Sequence, residues 1–166
     1  MEICFETLCK YKSSGHCKLN EIDINNFYDE MKLVGSTISL RNLEGVVKNN
    51  RNLVKGFLFK DSSGCKAGTI WVMFRGGNDI EYKIRNIDAY IFNVYVNQNF
   101  RGNGFAGEMI YQLMNMLHEN GIEKAYLAVS LKNKNAIRAY KKIGFVNVSD
   151  RKFVRILKIN IPYHIL

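Results

Sequence analysis

The sequence has very little proline, and its few cysteines lack the close pairing typical of small cross-linked or metal-binding folds. Pro162 is the only proline in the 166 residues, and no two of the four cysteines form a C-x-x-C pair. Cys4, Cys9, His16 and Cys17 lie close together in the sequence, but their spacing matches no common zinc module. The sequence therefore indicates reduced thiols, and it predicts neither a disulfide framework nor a metal site.

Long apolar runs and a leader-like start are also missing. No stretch approaches the ~18 consecutive apolar residues that a membrane span requires. The opening segment, MEICFETLCK, has no basic part followed by an apolar part, so a signal peptide is not expected. We therefore expect a cytoplasmic protein without a membrane partner, and the length suits one self-contained domain, 1–166.

Acidic residues are outnumbered, since 24 lysines and arginines against 15 aspartates and glutamates give a formal net charge of +9. The basic residues are spread along the chain, without the run of ~5–6 like charges that marks an interaction tail. Residues 151–158 come closest to a nucleic-acid-binding segment, yet their alternation also suits a final strand with solvated charges. This pattern disfavours nucleic acid as a partner, whereas a polyanionic small molecule suits a local share of the charge.

Hydrophobic periodicity and turn residues predict a mixed α/β fold. Met109, Leu113 and Leu117 recur at helical spacing, and Gly121 follows them as a helix stop. The predicted strands and helices are strands at 1–9, 53–60, 67–74, 88–96 and 124–130, helices at 21–33, 40–49, 105–119 and 133–142, and one or two final strands within 145–161. This order predicts a mixed sheet flanked by helices in a single domain.

A glycine-containing loop joins the strand at 88–96 to the helix at 105–119. The first N–H groups of a helix have no intrahelical partner and carry partial positive charge, so this junction is a natural anion site. Gly102 and Gly104 let an anion approach the backbone closely, and Arg101 adds a formal positive charge. A plain connecting turn is the alternative, because a complete G-x-G-x-x-G and a G-K-[ST] sequence are both missing.

A second segment, 133–145, combines a helix start with a tyrosine on one helix face. Asn133 is placed to begin the helix, and Ala136 and Tyr140 lie four residues apart, on the same face. Taken alone, Tyr140 is more typical of a half-buried packing residue. The order of the two segments along the chain is therefore more informative than either segment by itself.

Together, the two segments resemble the GNAT superfamily of acyl-CoA-dependent N-acetyltransferases. The first matches that family's Arg/Gln-x-x-Gly-x-Gly/Ala loop as Arg101-x-x-Gly104-x-Ala106, with Gln98 where the family usually has proline. The second matches N-x-x-A-x-x-x-Y-x-x-x-G-F through Asn133, Ala136, Tyr140, Gly144 and Phe145. The resemblance covers roughly residues 66–146, the cofactor-binding core, whereas residues 1–60 match only in element order and correspond to the family's variable acceptor side.

The resemblance implies a GNAT-like acyl-CoA N-acyltransferase fold and acetyl-CoA as co-substrate. It also implies that a primary amine attacks the thioester directly. Backbone groups of Val94 and Val96 would bind the pantetheine arm, and the loop N–H groups would bind the pyrophosphate. The full set of cofactor-binding residues that it implies is Val94, Val96, Arg101, Gly102, Asn103, Gly104, Phe105, Ala106, Gly107, Asn133 and Ala136.

The catalytic residues follow from the same resemblance. Tyr140 aligns with the family's general acid, and Asp88 begins the strand where many members carry their base. Glu81 is a weaker candidate base, and a solvated residue at the strand start is the alternative for Asp88. The acceptor is predicted to be a small-molecule amine before a protein, and family habit makes a homodimer a further expectation. A non-catalytic acyl-CoA-binding module is the competing function.

Overall fold

The structure is a computed structural model that describes residues 1–4, 17–31, 39–74, 86–148, 152–156 and 159–163. The strands are β1 (Glu2–Cys4), β2 (Cys17–Glu21), β3 (Val54–Asp61), β4 (Lys66–Phe74), β5 (Asp88–Val96), β6 (Lys124–Leu127), β7 (Lys152–Ile156) and β8 (Ile159–Tyr163). The helices are α1 (Phe27–Met31), α2 (Leu40–Asn49), α3 (Phe105–Glu119) and α4 (Lys134–Ile143).

Six of these strands form one sheet in the order β1-β6-β5-β4-β3-β2. Strands β5 and β6 run parallel, whereas every other neighbouring pair in this sheet is antiparallel. Strands β7 and β8 form a separate antiparallel pair. The single parallel pair lies inside the sheet, where both of its strands have a neighbour on either side.

Helices cover both faces of the sheet. Alternate residues of β4 point to opposite faces: Ile70 and Val72 belong to the core beneath α3 and α4, and Trp71 and Met73 to the core beneath α1 and α2. Residues from both helix pairs complete these cores. Side chains of β5 therefore pack into both cores, with Ile91 in the first and Tyr90 in the second.

Several predicted elements are confirmed with small changes at their ends. Strand β5 and helix α3 have the predicted bounds, and α4 begins one residue later than predicted. Gly121, at φ 78°, follows α3 as predicted, and it closes a Schellman motif in which Ile122 N–H donates to Leu117 C=O at 3.0 Å. The turn between β3 and β4 is held by Asp61, whose carboxylate accepts the Ser63 and Cys65 N–H groups. Strong local patterns thus led to correct elements.

The helix predicted at 21–33 was wrong at its beginning. Glu21 ends strand β2, which pairs with β3, and Asp23 then caps a short 3-10 turn, with its carboxylate 2.9 Å from the Asn25 N–H. Only Phe27–Met31 are α-helical, and residues 32–33 lie outside the described part of the chain. Strand β2 was missed because it is a polar edge strand, formed by pairing with β3 and not by its own pattern.

The predicted strand at 124–130 is also shorter in the structure, because β6 ends at Leu127. At the chain start, β1 covers Glu2–Cys4 of the predicted 1–9, and residues 5–9 are not described. The final strands predicted within 145–161 are observed as β7 and β8, although Val146 forms only an isolated bridge to Glu2. The early end of β6 matters most, since it leaves one edge of β5 without a neighbouring strand beyond Ile91.

Candidate functional site

Strands β5 and β6 separate halfway along β5. Their pairing ends at Ile91 and Leu127, whereas β5 continues to Val96. A β-bulge lies just beyond this point: Trp71 faces Phe92 and Thr69 faces Tyr95, so β5 has one more residue than β4 across the bulge. Asn93, within the bulge, has a φ of 48°, a conformation that asparagine tolerates better than most residues. Bulges bend a strand and increase its twist, so the bulge accounts physically for the separation of β5 from β6.

A loop with two left-handed glycines follows β5 and leads into α3. Gly102 and Gly104 have φ values of 84° and 78°, which glycine adopts without strain. Gly104 is the N-cap residue, and no side chain caps the helix there. The first intrahelical bond joins Glu108 N–H to Gly104 C=O, so the N–H groups of residues 105–107 have no partner inside the helix.

Arg101 lies at the rim of this loop, exposed to solvent. Its Nε donates to the Val96 C=O at 3.0 Å, and its guanidinium carbon is 5.6 Å from the centre of the Tyr95 ring. These contacts fix the side chain against the end of β5. The positive charge therefore stays beside the uncapped start of α3, where it adds to the attraction for an anion.

The unpaired end of β5, the glycine loop with the start of α3, and α4 enclose a cleft of about 710 Å³. Its lining consists of Val94, Tyr95, Val96, Phe100, Arg101, Gly102, Gly104, Phe105, Ala106, Gly107, Asn133, Asn135, Ala136, Ala139, Tyr140, Lys142 and Ile143. Ten of the eleven predicted cofactor-binding residues lie in this lining, and Asn103 does not. Their role in binding stays a prediction, but the structure brings them together around one space.

Sequence reasoning missed part of the wall that α4 contributes. Asn135, Ala139 and Lys142 line the cleft beside Ala136 and Tyr140. Their spacing of four and three residues is that of one helix stripe, so the periodicity of 133–145 contained the signal. The stripe was not identified because none of its members is a motif residue.

Tyr140 is the one titratable residue of the cleft with a strongly altered pKa. Its side chain is 8% exposed, and burial raises the pKa of its hydroxyl to about 12. The Phe145 ring packs against it at 5.9 Å between ring centres. Within the described part of the chain its hydroxyl makes no hydrogen bond. The phenol therefore stays neutral at ordinary pH and can donate a hydrogen bond to a ligand in the cleft.

Asn133 serves the fold at the start of α4. Its Oδ1 accepts the Ala136 N–H at 3.1 Å, which satisfies one of the first N–H groups of the helix. Its side chain is exposed at the mouth of the cleft, so its Nδ2 group is available as a donor. The capping bond uses only Oδ1, so it is compatible with the predicted cofactor contact, which stays a prediction.

Asp88 lies outside the lining of the cleft. It begins β5 as predicted, but it is only 2% exposed, so the alternative of a solvated residue at the strand start is wrong. It lies three positions before Ile91, where the pairing with β6 ends, a distance of roughly 10 Å along a strand. Its role as a base stays a prediction. Glu81 lies outside the described residues.

Neither a metal site nor a membrane span was predicted from the sequence. Across the described ranges, no group of three metal-binding side chains lies together, and Cys9 and His16 fall outside those ranges. The described helices also include none with the length and apolar character that a bilayer span demands.

Comparisons with known sequences point to one protein family. The family profile described as "Acetyltransferase (GNAT) family" matches residues 25–145, more than half of the chain. A [ribosomal protein bS18]-alanine N-acetyltransferase from Haemophilus ducreyi is 32% identical over 65 residues, which are 39% of this chain and 45% of that protein. N-alpha-acetyltransferase MAK3 from Arabidopsis thaliana is 29% identical over 82 residues, which are 49% of this chain and 36% of that protein. The matches thus span less than half the length of these curated relatives.

Solved structures with the same fold cover most of the chain. One is a predicted acetyltransferase with acetyl-CoA from Clostridium acetobutylicum, with a TM-score of 0.58 and 20% identity, covering 81% of this chain and 92% of that one. Another is the spermidine/spermine N-acetyltransferase SpeG from Vibrio cholerae, with a TM-score of 0.62 and 17% identity, covering 83% and 82%. At these identities the likeness establishes the fold, and it confirms the predicted fold class.

Proposed function

We propose, because the chain belongs to the acetyltransferase (GNAT) family, that it transfers an acetyl group from acetyl-CoA to a primary amine. One observation carries the proposal. A single cleft combines the unpaired half of β5, the uncapped start of α3 and the buried hydroxyl of Tyr140. These are, respectively, a surface for an extended amide chain, a site for a diphosphate and a proton donor.

The residues present fit the parts of this co-substrate. A Cβ atom built on Gly102 or Gly104 would meet nothing within 4 Å, so there is room for a phosphate group beside the α3 N–H groups. Beyond Ile91, the backbone of β5 faces the cleft instead of a strand, and Val94 and Val96 offer it hydrogen-bonding groups. The pantetheine arm contains two amide groups, and such groups can pair with a strand edge.

Acetyl-CoA supplies an acetyl group activated as a thioester. In the proposed reaction the amine nitrogen forms a bond to the acetyl carbon, the carbon–sulfur bond breaks, and no acetyl-enzyme forms. Backbone N–H groups near the bulge are rigid donors, which suits them to the negative charge that develops on the carbonyl oxygen. The protein thus contributes position and oriented dipoles more than reactive side chains.

Tyr140 acts in this proposal as the general acid for the departing sulfur. Its pKa of about 12 lies above the ~8.5 of an ordinary thiol, so complete proton transfer to a fully formed thiolate is uphill. We therefore assign most of its effect to a hydrogen bond that strengthens as charge builds on the sulfur. Loss of one such group typically lowers turnover by ~10²–10⁴-fold.

The acceptor must lose a proton before it attacks, and the cost depends on its class. At pH 7, deprotonating an α-amine with a pKa near ~7.7–8.0 costs about 1 kcal/mol, whereas deprotonating an alkylamine near ~10.4 costs about 4–5 kcal/mol.

We propose a small-molecule amine as the first candidate acceptor, supported by the fold shared with the spermidine/spermine N-acetyltransferase. A peptide α-amine is the second candidate, supported by the names of the two curated relatives. Asp88, being outside the cleft lining, would serve as base only through water.

The decisive experiment pairs a binding measurement with a turnover measurement. Calorimetry with acetyl-CoA should give micromolar affinity, and release of free thiol should then be measured over a panel of polyamines, amino sugars, amino acids and peptide N-termini. The Tyr140→Phe variant should bind acetyl-CoA like the wild type while losing turnover. Binding without thiol release for every amine class would favour a non-catalytic acyl-CoA-binding module. An absence of binding at millimolar acetyl-CoA would indicate that the glycine loop only connects β5 to α3, and it would overturn the proposal.

A further inference from the structure

Helix α4 carries a row of cations on the side that faces away from the core. Lys134, Arg138 and Lys141 follow one another at spacings of four and three residues, so they lie on one face of the helix. All three are exposed, whereas Tyr140 and Ile143, on the opposite face, are buried. None of the three cations belongs to the lining of the cleft. We call Lys134, Arg138 and Lys141 the α4 basic stripe.

The α4 basic stripe has no negative charge beside it in the sequence. Residues 124–148 contain no aspartate or glutamate. Within the part of the chain that the structure describes, the stripe forms no ion pair, and its one side-chain hydrogen bond runs from Arg138 Nη2 to Asn135 Oδ1 at 2.6 Å. By contrast, the exposed lysines Lys48 and Lys55 are each paired with a glutamate. The stripe therefore presents its positive charge to solvent.

The placement of these cations does not stabilise α4. Lys134 is the first residue of the helix, where the partial positive charge of the helix start disfavours a cation. Arg138 has a like charge four residues before it and another three residues after it, and like charges at these spacings repel. Only Lys141, in the last turn, is favoured by the helix dipole. A partner with negative charge would offset this repulsion.

Exposed apolar side chains lie at both ends of the same helix. Among the described residues, five large apolar side chains are exposed, and three of them flank α4. Leu131 lies just before the helix, and Val146 and Val148 lie just after it; each is about half exposed. Burial of such side chains by a partner is favourable. The surface thus combines a basic middle with apolar ends, which fits a segment with an acidic middle and apolar ends.

The aromatic residues of this region do not fit a nucleic-acid surface. Proteins that bind single-stranded nucleic acid stack the bases on accessible aromatic rings. Here Tyr140 and Phe145 are buried, and Tyr126 packs against the core beneath α1 and α2. The exposed side chains beside the stripe are aliphatic instead. These features favour a protein segment over nucleic acid as the occupant.

We propose that the α4 basic stripe, together with Leu131, Val146 and Val148, is a docking surface for an acidic segment of a partner protein. Carboxylates of that segment pair with the stripe over roughly 10 Å, the rise of the helix from Lys134 to Lys141. Apolar side chains on either side of the carboxylates cover the two ends. The inference goes beyond the proposed function, because this surface lies outside the cleft lining and takes neither acetyl-CoA nor the amine.

The test uses a fluorescent synthetic helical peptide with glutamates at spacings of four and three residues and a leucine beyond each end. Fluorescence anisotropy at ~0.15 M salt should show micromolar binding to wild type, and the affinity should fall as the salt concentration rises. The triple variant Lys134→Gln, Arg138→Gln, Lys141→Gln should bind roughly 10-fold more weakly, the combined effect of three exposed ion pairs. Its melting temperature should equal or exceed that of wild type, because the repulsion is removed.

A second triple variant, Lys18→Gln, Arg41→Gln, Arg51→Gln, is the matched control. It removes the same number of exposed positive charges outside α4 and its flanks. Its affinity for the peptide should stay within ~2-fold of wild type, since salt screens exposed charges that do not contact the peptide. Equal losses in the two triple variants would reduce the effect to net charge and overturn the inference. So would an absence of binding to wild type.

The apolar ends and the alternative occupant are tested with the same assay. Leu131→Ser combined with Val148→Ser should weaken peptide binding by roughly 10-fold, because two apolar side chains are no longer covered. Unchanged affinity in this double variant would contradict the proposed apolar ends. A uridine oligonucleotide that bound more tightly than the peptide, and lost its affinity in the stripe variant, would make nucleic acid the occupant and overturn the inference. The proposed function is tested separately by acetyl-CoA binding and thiol release.

Discussion

Helices α3 and α4 both begin at the mouth of the same cleft, but only α4 has a side chain that caps its first turn. In α4 the Asn133 side chain accepts the Ala136 N–H, and in α2 Ser39 accepts the Asn42 N–H in the same way. In α3 Gly104 stands at that place and caps nothing. A side-chain cap contributes about 1 kcal/mol to stability, so α3 forgoes a contribution that α2 and α4 have.

The other end of α3 shows that this difference is local. Gly121 closes the C-terminus with a Schellman motif, which satisfies the carbonyl groups of Leu117 and His118. Only the end of α3 that faces the cleft is left without a cap. The comparison teaches that a side chain caps the first turn of α4, whereas the first N–H groups of α3 have neither an intrahelical partner nor a side-chain cap.

The largest effect should come from the part of α4 that faces the cleft. Tyr140→Phe removes one hydroxyl, and we expect turnover to fall by ~10²–10⁴-fold while the dissociation constant of acetyl-CoA changes little. Steady-state kinetics together with calorimetry would measure both. Tyr111→Phe, on α3 and outside the cleft lining, is the control and should keep its turnover. Equal losses in the two variants would assign the effect to packing.

A second prediction uses the altered pKa of the same residue. Because burial raises the pKa of Tyr140 to about 12 from ~10 in the unfolded chain, the folded state holds its proton more tightly. This contribution to stability is complete below pH 10 and is lost as the pH rises toward 12, with a total of about 3 kcal/mol. Urea unfolding of wild type and Tyr140→Phe at several pH values would measure it. A constant difference between the two proteins would contradict the assigned burial effect.

The third prediction concerns two variants that place a side chain at Gly104, the residue just before α3. Gly104→Asn places a neutral carboxamide before the first-turn N–H groups, and asparagine tolerates the positive φ of this residue. We expect affinity for acetyl-CoA to fall by ~10-fold, and by ~100-fold for Gly104→Asp, whose charge also repels the pyrophosphate. Calorimetry would rank them. Unchanged affinity in both variants would show that α3 does not bind the phosphates.

The smallest expected effect concerns the fold alone. Asn133→Ala removes the cap of α4, and the free energy of unfolding should decrease by about 1 kcal/mol. Asn133→Ser, which keeps a capping oxygen, should restore most of the loss. Urea denaturation of the three proteins would check this. If both variants lost equal stability, the capping bond would not be the cause.

Sequence patterns correctly predicted the helices and turns whose formation depends mainly on their own residues. The apolar stripe of α3 and the stop at Gly121 were sufficient, and the cap of α4 followed from the chemistry of Asn133. Strand β2 was not predicted, because its polar residues become a strand only when β3 lies beside them. The helix predicted over 21–33 begins too early for the same reason, since pairing with β3 fixes the strand conformation of Glu21, whereas Phe27–Met31 are helical.

The candidate site divides along a similar line. The glycine loop and Tyr140 belong to recognisable motifs, so the sequence identified them. The bulge at Asn93 was not predicted, because it arises from a mismatch in length between β4 and β5 that no local pattern expresses. Lys142 was missed because an exposed lysine on a basic helix is an ordinary surface residue until the opposite wall is known.

The unpaired half of β5 has a consequence for handling the protein. A strand edge without a neighbouring strand can template pairing with another chain, which makes it a route to self-association. A ligand that binds there would cover the edge and would also stabilise the native state by RT ln(1 + [L]/Kd), about 2.7 kcal/mol at a concentration of ~100 Kd. Purification in the presence of coenzyme A should therefore give a higher melting temperature and less aggregate, and backbone amides between Phe92 and Val96 should exchange their hydrogens more slowly.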